Sequence, residues 1–210
     1  MTSGAMEHSA YRRWGKTALD QMLAAPLLVV FGPLMLIVAA CSLAFQGRPV
    51  LFRQVRPGLH ERPFVLLKFR TMTAARGRDG GFLPDGQRLT PFGRLLRRTS
   101  LDELPQLINV VRGDLSLVGP RPLLVHYLPL YSPQQRRRHE VKPGITGLAQ
   151  VSGRNALDWA ARLRLDVEYV ERCDFFLDLW ILTRTLLKVV SGEGVADGRT
   201  ATSEPFTGQR

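Results

Sequence analysis

The chain has 210 residues, enough for one domain of ordinary size or a small domain with a membrane element, but too few for two full domains. Hydrophobic residues make up 45% and charged residues 22%, a balance that excludes an intrinsically disordered chain. Two cysteines are too few for a disulfide framework or a zinc site of the usual ligand count, so we expect a reducing compartment. The commonest nucleotide-binding signatures, the P-loop and G-x-G-x-x-G, are absent from the sequence.

Basic charge is concentrated in the middle of the chain. The whole chain carries +11, whereas residues 48–154 contain 19 basic and 7 acidic residues and alone carry +12. Of the 29 basic residues, 25 are arginine, whose planar guanidinium suits phosphate oxygens. This block predicts an acidic partner, such as a phosphorylated substrate, anionic phospholipid or nucleic acid. Nucleic acid is disfavoured, because the block has no known DNA- or RNA-binding motif and no interleaved stacking aromatics.

The N-terminal part contains a long apolar segment. Between Asp20 and Arg48 lie 27 residues without a formal charge. As a helix they would reach roughly 40 Å, more than the ~30 Å of a bilayer's hydrocarbon core. Gly32 and Pro33 lie in the middle, where proline bends a helix, and basic residues flank both ends. Because cytoplasmic flanks prefer positive charge, we favour a re-entrant helix-break-helix within residues 1–47; an ordinary span and an export signal are the alternatives.

Residues 50–72 have the alternation and turn residues of a β-hairpin, with Phe64–Met72 as the second strand. On that strand Lys68 and Arg70 are predicted to point to one face. Two cations on one face can hold an anion, and a solvated basic face is the alternative.

The hairpin is followed by a predicted surface loop over residues 73–91, rich in glycine and polar residues. A helix is predicted from Pro91. On this helix Arg94, Arg97 and Arg98 fall at spacings of three and four and share one side.

The stretch from Ser100 to Glu103 allows two interpretations. Ser100 and Glu103 match a capping box that would open a helix, with Asp102 adding negative charge at its positive end. Pro105 conflicts with Ser100 as the N-cap, because it would remove a helical hydrogen bond, but it is tolerated if Asp102 is the N-cap. Such local conflicts are commoner at functional sites, so a functional role stands beside the structural one.

Three later loops present basic residues. Pro122 forces Arg121 into an extended conformation, which suits a phosphate clamp, although a rigid turn with an incidental arginine is equally compatible. Residues 142–147 and residues 152–155, which include Arg154, place basic side chains beside flexible backbone, and either could be an ordinary turn.

Two helices are predicted near the C-terminus. Residues 157–172 have helical periodicity and carry Asp166. Residues 175–190 have a polar stripe, which includes Asp178, on about one third of the circumference, and favour equally a core helix and an interfacial one. Residues 191–210 are a polar tail without periodicity.

Several runs together resemble one family. They are Lys68–Met72, Ser100–Leu107, Gly113–Pro122, Lys142–Gly147 and Gly153–Asn155. In this order and spacing the chain, from about residue 12 onward, resembles the bacterial sugar transferases, the small monotopic phosphoglycosyl transferases. Residues 122–131 and 202–208 further resemble the undecaprenyl phosphate N,N'-diacetylbacillosamine 1-phosphate transferases.

The resemblance implies an architecture and a reaction. It implies a monotopic, predominantly helical α+β protein with a small β-hairpin, a re-entrant N-terminal helix and interfacial amphipathic helices. Residues 48–190 would form a catalytic domain on the cytoplasmic face of the bacterial inner membrane. The implied reaction transfers sugar 1-phosphate from a UDP-sugar to undecaprenyl phosphate and releases UMP, with Mg²⁺ required. Family members often have serine before the proline of the helix break, whereas Gly32 stands here and lacks the hydroxyl hydrogen bond.

The resemblance also implies roles for individual residues. Asp102 would attack the phosphate attached to the sugar, and Glu103 would hold Mg²⁺. Asp166 would orient Lys68. Matching positions expected to bind phosphate or shape the site are Lys68, Arg97, Arg121 and Arg154, to which the strand pattern adds Arg70. A basic membrane-tethered binding or scaffold protein is the alternative of a different class, and the sequence leaves the oligomeric state open.

Overall fold

The computed structural model of the protein describes residues 11–153, 157–191 and 205–208. These residues form a mainly helical structure with two small sheets, so the predicted predominantly helical α+β fold with a small β-hairpin is confirmed, whereas the monotopic membrane arrangement stays a prediction. In chain order the elements are α1 (Lys16–Gln46), β1 (Leu51–Pro57), β2 (Pro63–Phe69), α2 (Asp85–Arg88), α3 (Pro91–Arg98), α4 (Gln106–Arg112), β3 (Ser116–Val118), α5 (Pro133–Arg136), β4 (Gly144–Thr146), α6 (Leu148–Ser152), α7 (Trp159–Arg172) and α8 (Phe175–Ser191).

Helix α1 continues without interruption through the predicted break at Gly32 and Pro33. One missing proline N–H removes a single hydrogen bond, and the turns on either side continue the helix. Among the described residues α1 is the one helix long and apolar enough to cross a membrane, and only 11% of its most apolar window is buried. The re-entrant path, like the division of the chain at residues 47 and 190, stays a prediction.

Both halves of α1 pack against the rest of the protein. In the first half Ala24 is fully buried in a cluster that includes Val110 of α4. In the second half Val38 packs with Phe69 of β2 and Leu96 of α3. One side of α1 therefore lies along the body of the protein, and it has exposed large side chains away from that side, such as Met22, Val29, Val30, Leu36 and Ile37.

The predicted hairpin forms, although its second strand ends at Phe69 rather than at Met72, and one amide fixes it to α4. Strands β1 and β2 pair antiparallel, and residues 58–62 connect them. Asn109 of α4 is fully buried, accepts a hydrogen bond from the Leu67 N–H at 3.1 Å and donates one to the Val65 carbonyl at 2.8 Å. These bonds fix β2, and with it Lys68, to α4.

Two loops predicted separately, around residues 119 and 144, lock together. Strands β3 and β4 form a short parallel pair that the sequence pattern did not predict. A Cβ on Gly119 would lie 2.4 Å from the Lys142 carbonyl oxygen, so the two backbones can approach only because the residue is glycine. The Gly144 N–H donates to the Pro120 carbonyl at 3.0 Å. The backbone just before Arg121 is thereby fixed.

Helix α8 turns its polar stripe toward the protein. Asp178 is buried, and the hydroxyl oxygens of Thr185 and Thr146 lie 2.7 Å apart. Arg184 is exposed, but many of the other exposed side chains of α8 are large and apolar, with Phe176 and Val190 more than three quarters exposed. An apolar face left toward solvent is typical of a helix that lies at a membrane interface.

Part of the predicted polar tail is bound to the body of the protein. Phe206 is 4% exposed and packs among the rings of Tyr127, Tyr131 and Trp159, with ring centroids 5.3 to 5.6 Å from its own. Its backbone N–H donates to the Tyr127 hydroxyl at 3.2 Å. The tail therefore supports the segment that follows Arg121.

Candidate active site

The chain from Ser100 to Pro105 does not form the capping box. Ser100 has a left-handed backbone, with φ of 57°, and its side chain caps no helix. Residues 101–103 form a 3₁₀ turn, and α4 begins only at Gln106. Pro105 thus lies just before the helix, where its missing N–H interrupts no helical hydrogen bond. This arrangement leaves the carboxylates of Asp102 and Glu103 available to other side chains.

Glu103 is held by two cations from different parts of the chain. Its Oε1 accepts hydrogen bonds from Lys68 Nζ at 2.6 Å and from Arg121 Nη2 at 2.9 Å. Burial opposes ionisation of Glu103, but Arg121 and Lys68 outweigh it and lower the pKa of Glu103. Glu103 in turn raises the pKa of Arg121. The structure therefore brings three of the predicted site residues into one ion-pair cluster.

Asp102 lies beside this cluster and is only 9% exposed. Burial, together with the neighbouring charge of Glu103, raises the pKa of Asp102 to about 6, against the opposing effect of Lys68, Arg97 and Arg121. Two adjacent carboxylates with pKa values pushed apart are typical of groups with different chemical roles. Near neutral pH most Asp102 is ionised, and it is more basic than an exposed aspartate.

Arg97 and Arg121 place positive charge near the two carboxylates, Arg97 from before them in the chain and Arg121 from after them. Arg97 of α3 donates from Nε to the Thr71 hydroxyl at 3.1 Å and is one of the cations that act on Asp102. Arg121 follows the locked loop and is bounded by Pro120 and Pro122. Pro122 restricts the backbone of the residue before it, and the extended conformation of Arg121 stays a prediction.

The prediction that Asp166 orients Lys68 is wrong. Asp166 of α7 instead accepts two hydrogen bonds from Arg138, at 3.0 Å to Nε and 2.8 Å to Nη2, and both residues are buried. The same Nη2 of Arg138 donates to the Arg121 carbonyl at 2.7 Å. Arg138 lies in an arginine run that looks like a solvated face, and only the fold reveals its buried partner. Asp166 therefore supports the site through the backbone of Arg121.

Arg70 does not join the cluster. Strand β2 ends at Phe69, and the Arg70 guanidinium donates to the Gln46 carbonyl and, at 2.7 Å, to the Gly47 carbonyl. Its partners are the exposed carbonyls at the C-terminal end of α1, which a cation stabilises. The predicted anion-binding pair on one strand face is thus wrong for Arg70. The predicted site residue Arg154 lies outside the described residues.

Two further polar side chains adjoin the cluster without having been predicted. Arg56 of β1 and Gln106 at the start of α4 line a cavity together with Lys68 and Arg121. In the sequence Arg56 is one of many basic residues and Gln106 one polar residue in a helix. The position of Gln106, three residues after the predicted catalytic pair, was the sequence signal that could have identified it as a site residue.

The carboxylate pair fits Mg²⁺ bound jointly with substrate phosphates. Mg²⁺ commonly takes one or two protein carboxylates and completes its octahedron with phosphate oxygens and water. Glu103 is kept ionised, and Asp102 is its direct neighbour. No group of three His, Cys, Asp or Glu side chains within residues 11–153, 157–191 and 205–208 is placed to hold a metal on its own. Glu103, with Asp102 beside it, is the donor set available for this ion.

Proteins similar to this chain over most of its length are sugar transferases. The family model described as bacterial sugar transferase matches residues 11–192. A protein named "Uncharacterized sugar transferase EpsL" from Bacillus subtilis is 61% identical over 162 residues, covering 77% of this chain and 80% of its own. A UDP-glucose:undecaprenyl-phosphate glucose-1-phosphate transferase from Caulobacter vibrioides is 42% identical over 183 residues, covering 81% and 68%. An undecaprenyl-phosphate galactose phosphotransferase from Salmonella typhimurium is 35% identical over 199 residues, covering 87% and 42%.

A cluster of two carboxylates screened by lysine and arginine has the chemistry suited to a transferase that handles phosphate. The chain belongs to the bacterial sugar transferase family, and the resemblance predicted from its motifs is confirmed. It is an enzyme of phosphoglycosyl transfer.

Proposed function

We propose that the protein transfers a sugar 1-phosphate from a UDP-sugar to undecaprenyl phosphate and releases UMP, as a membrane step of glycan assembly. The observation that carries this proposal is the buried Asp102 beside Glu103, with Lys68 and Arg121 held on the Glu103 carboxylate. The relatives named for undecaprenyl-phosphate sugar-1-phosphate transfer support the choice of donor and acceptor.

In the first step an Asp102 carboxylate oxygen attacks the phosphorus that carries the sugar. The bond from this oxygen to phosphorus forms, the bond from phosphorus to the bridging diphosphate oxygen breaks, and UMP leaves with the electron pair. Lys68, Arg97 and Arg121 screen the negative charge as the carboxylate approaches the diphosphate. The elevated pKa of Asp102 keeps it a better nucleophile than an exposed aspartate while leaving it mostly ionised at pH 7.

In the second step an oxygen of the lipid phosphate attacks the same phosphorus. The bond from phosphorus to Asp102 breaks, and the carboxylate is regenerated. Glu103, with Asp102 beside it, would hold Mg²⁺, which when bound supplies positive charge to the phosphate oxygens. Since Lys68 and Arg121 share one oxygen of Glu103, these cations are already oriented toward the site before substrate binds.

We place the enzyme at the cytoplasmic face of the bacterial inner membrane, with α1 as a re-entrant membrane helix. Gln21 near the start of α1 donates to the Val111 carbonyl at 3.0 Å, and Gln46 at its end donates to the Arg70 carbonyl at 3.1 Å. Bonds to the same body at both ends of α1 favour attachment on one side of the membrane over a span that carries one end away, and entry and return would in addition require α1 to bend at Pro33. The exposed apolar faces of α1 and α8 would contact lipid, and the basic surface would contact anionic phospholipid.

The donor sugar we propose is N,N'-diacetylbacillosamine, on the branch resemblance of residues 122–131 and 202–208. Glucose and galactose, named for relatives, and N-acetylhexosamines are the competing donors. The test is a panel of UDP-sugars assayed for UMP release with undecaprenyl phosphate and Mg²⁺, combined with mass spectrometry of the protein. UMP release with a phosphosugar adduct on Asp102 is expected. A basic binding or scaffold protein would release none.

A further inference from the structure

A small cavity opens between the hairpin and the loop that carries Arg121. It measures about 80 Å³, several times the ~10–15 Å³ that one water requires. Its lining combines polar and apolar side chains: Arg56, Leu66, Lys68, Gln106, Arg121, Pro122 and Leu123. Two of these residues, Lys68 and Arg121, are the cations that hold Glu103, so the cavity adjoins the reacting carboxylates.

The polar lining offers hydrogen-bond donors that lack acceptors. Gln106 is 2% exposed, and its Nε2 has no hydrogen-bond partner among the described residues. The Nε of Arg56 is likewise buried without a partner there, while its Nη2 donates to Gln54 Oε1 at 2.5 Å. Buried polar groups are almost always satisfied, and leaving a donor without an acceptor costs stability. A ligand with several acceptor oxygens would give both donors a hydrogen-bond partner.

The cavity also has an excess of positive charge. Arg56, Lys68 and Arg121 line it, whereas Glu103 is the carboxylate that pairs with two of them. Burial and the charge of Arg121 lower the pKa of Arg56 to about 10, so Arg56 remains a cation, and no carboxylate of the described residues pairs with it. A ligand that supplies both negative charge and several acceptor oxygens would satisfy all of these groups at once.

We propose that this cavity binds the diphosphate of the nucleotide-sugar donor, with Gln106 and Arg56 donating hydrogen bonds to its phosphoryl oxygens. This assignment rests on the proposed function and adds two binding residues to it. A lipid monophosphate offers the same chemistry. The two KM values measured in the test below, one for the UDP-sugar and one for the lipid phosphate, distinguish the two sources.

The test compares UDP binding and steady-state kinetics of the full-length protein in detergent or nanodiscs. Gln106→Met removes the amide donor at similar size, and Arg56→Gln removes the charge. Arg53→Gln is the matched control, because Arg53 lies on the same strand but is exposed. We expect each cavity variant to weaken UDP affinity and raise the KM for the UDP-sugar about tenfold, with the KM for undecaprenyl phosphate unchanged. The control should match the wild type.

A second substitution guards against loss of folding. Gln106→Glu keeps the side-chain length and replaces the donor by a carboxylate that repels phosphate, so it should weaken UDP binding more than Gln106→Met, at an unchanged circular dichroism spectrum. Folded cavity variants with wild-type UDP affinity would overturn the inference, and so would a rise confined to the KM for the lipid. If UDP binding depends on Gln106 and Arg56 but no UDP-sugar yields UMP, the site stands and the proposed function fails.

Discussion

Two buried carboxylate clusters in this protein differ in what they leave unsatisfied. Asp178 of α8 accepts hydrogen bonds from Lys16, from the Tyr11 hydroxyl at 2.6 Å and from the Tyr169 hydroxyl at 2.7 Å. Each partner comes from another element, and the carboxylate is only 4% exposed. Burial and Asp178 raise the pKa of Tyr11 and Tyr169, which therefore stay neutral donors. This cluster is complete and joins α8 to α7 and the start of α1.

The second cluster, around Asp102 and Glu103, is incomplete. Burial and Glu103 raise the pKa of Asp102 and outweigh the opposing effect of Lys68, Arg97 and Arg121, and the adjoining cavity holds donors without acceptors among the described residues. In a polar cluster that stabilises the fold, each group has a hydrogen-bond partner. In a cluster that binds a ligand, some groups lack a partner until the ligand binds. The comparison predicts that changes at Asp178 affect stability and changes at Asp102 affect chemistry.

The largest expected effect is the loss of activity in Asp102→Asn. The amide cannot attack phosphorus, so UMP release should fall by about 10³-fold or more. Stability should not fall. Because the folded protein raises the pKa of Asp102 above its ordinary value of 3.8, this group binds more protons when folded, and its contribution to stability decreases as pH rises from about 4 to 6. Asn removes that cost at pH 7.

Thermal unfolding and UMP release of the same Asp102→Asn preparation check both statements. Normal turnover would refute the nucleophile assignment. A melting temperature well below that of the wild type would show that Asp102 is a structural carboxylate like Asp178.

The opposite result is expected for Asp178→Asn. The substitution leaves the Lys16 ammonium buried without its counter-charge, which costs about 3–5 kcal/mol of unfolding free energy. The fraction that remains folded should keep the wild-type KM for the UDP-sugar. Denaturant unfolding monitored by circular dichroism measures the first quantity, and kinetics below the unfolding transition measure the second. An unchanged unfolding midpoint would show that the Asp178 cluster does not stabilise the fold and would contradict its contrast with the Asp102 cluster.

The pH dependence of turnover tests the role of Asp102 without a mutation. Asp102 must be ionised to attack, so kcat/KM should fall about tenfold per pH unit below about pH 6 and level off above it. Glu103, whose pKa Lys68 and Arg121 lower, stays ionised through this range. The measurement is the initial rate of UMP release between pH 4.5 and 8, with protein stability confirmed at each pH. A profile flat down to pH 5 would contradict the role of Asp102.

A smaller effect is expected from Arg138→Lys. Lysine keeps the charge facing Asp166, but one ammonium does not reproduce the fork that bonds both Asp166 and the Arg121 carbonyl. Arg121 should be less well positioned, so kcat should fall about tenfold, while the response of the rate to added Mg²⁺ should match the wild type. Wild-type kcat in the folded variant would show that the Arg138 bonds serve stability alone.

The motifs predicted the family and the helix and hairpin positions because apolar periodicity and turn residues act over short distances. They also brought Lys68, Asp102, Glu103 and Arg121 to one site through the resemblance. What they could not supply is the partner of each charged group. Arg138 belongs to the run of residues 136–138, for which the sequence favours contact with the membrane or a solvated face. Its burial depends on Asp166 of α7, which lies 28 residues further along the chain.

The least disruptive of these substitutions tests the residue that the strand pattern misassigned. Arg70→Gln removes the guanidinium bonds to the Gln46 and Gly47 carbonyls at the end of α1. Both acceptors lie near the surface and can bond water instead, so we expect a loss of about 1 kcal/mol in unfolding free energy. The KM for the UDP-sugar and kcat should stay within about twofold of the wild type, in contrast to Arg121→Gln, which removes a cation from Glu103. A donor KM raised as much as in Arg121→Gln would return Arg70 to the phosphate-binding set and show that its bonds to α1 are exchanged for substrate.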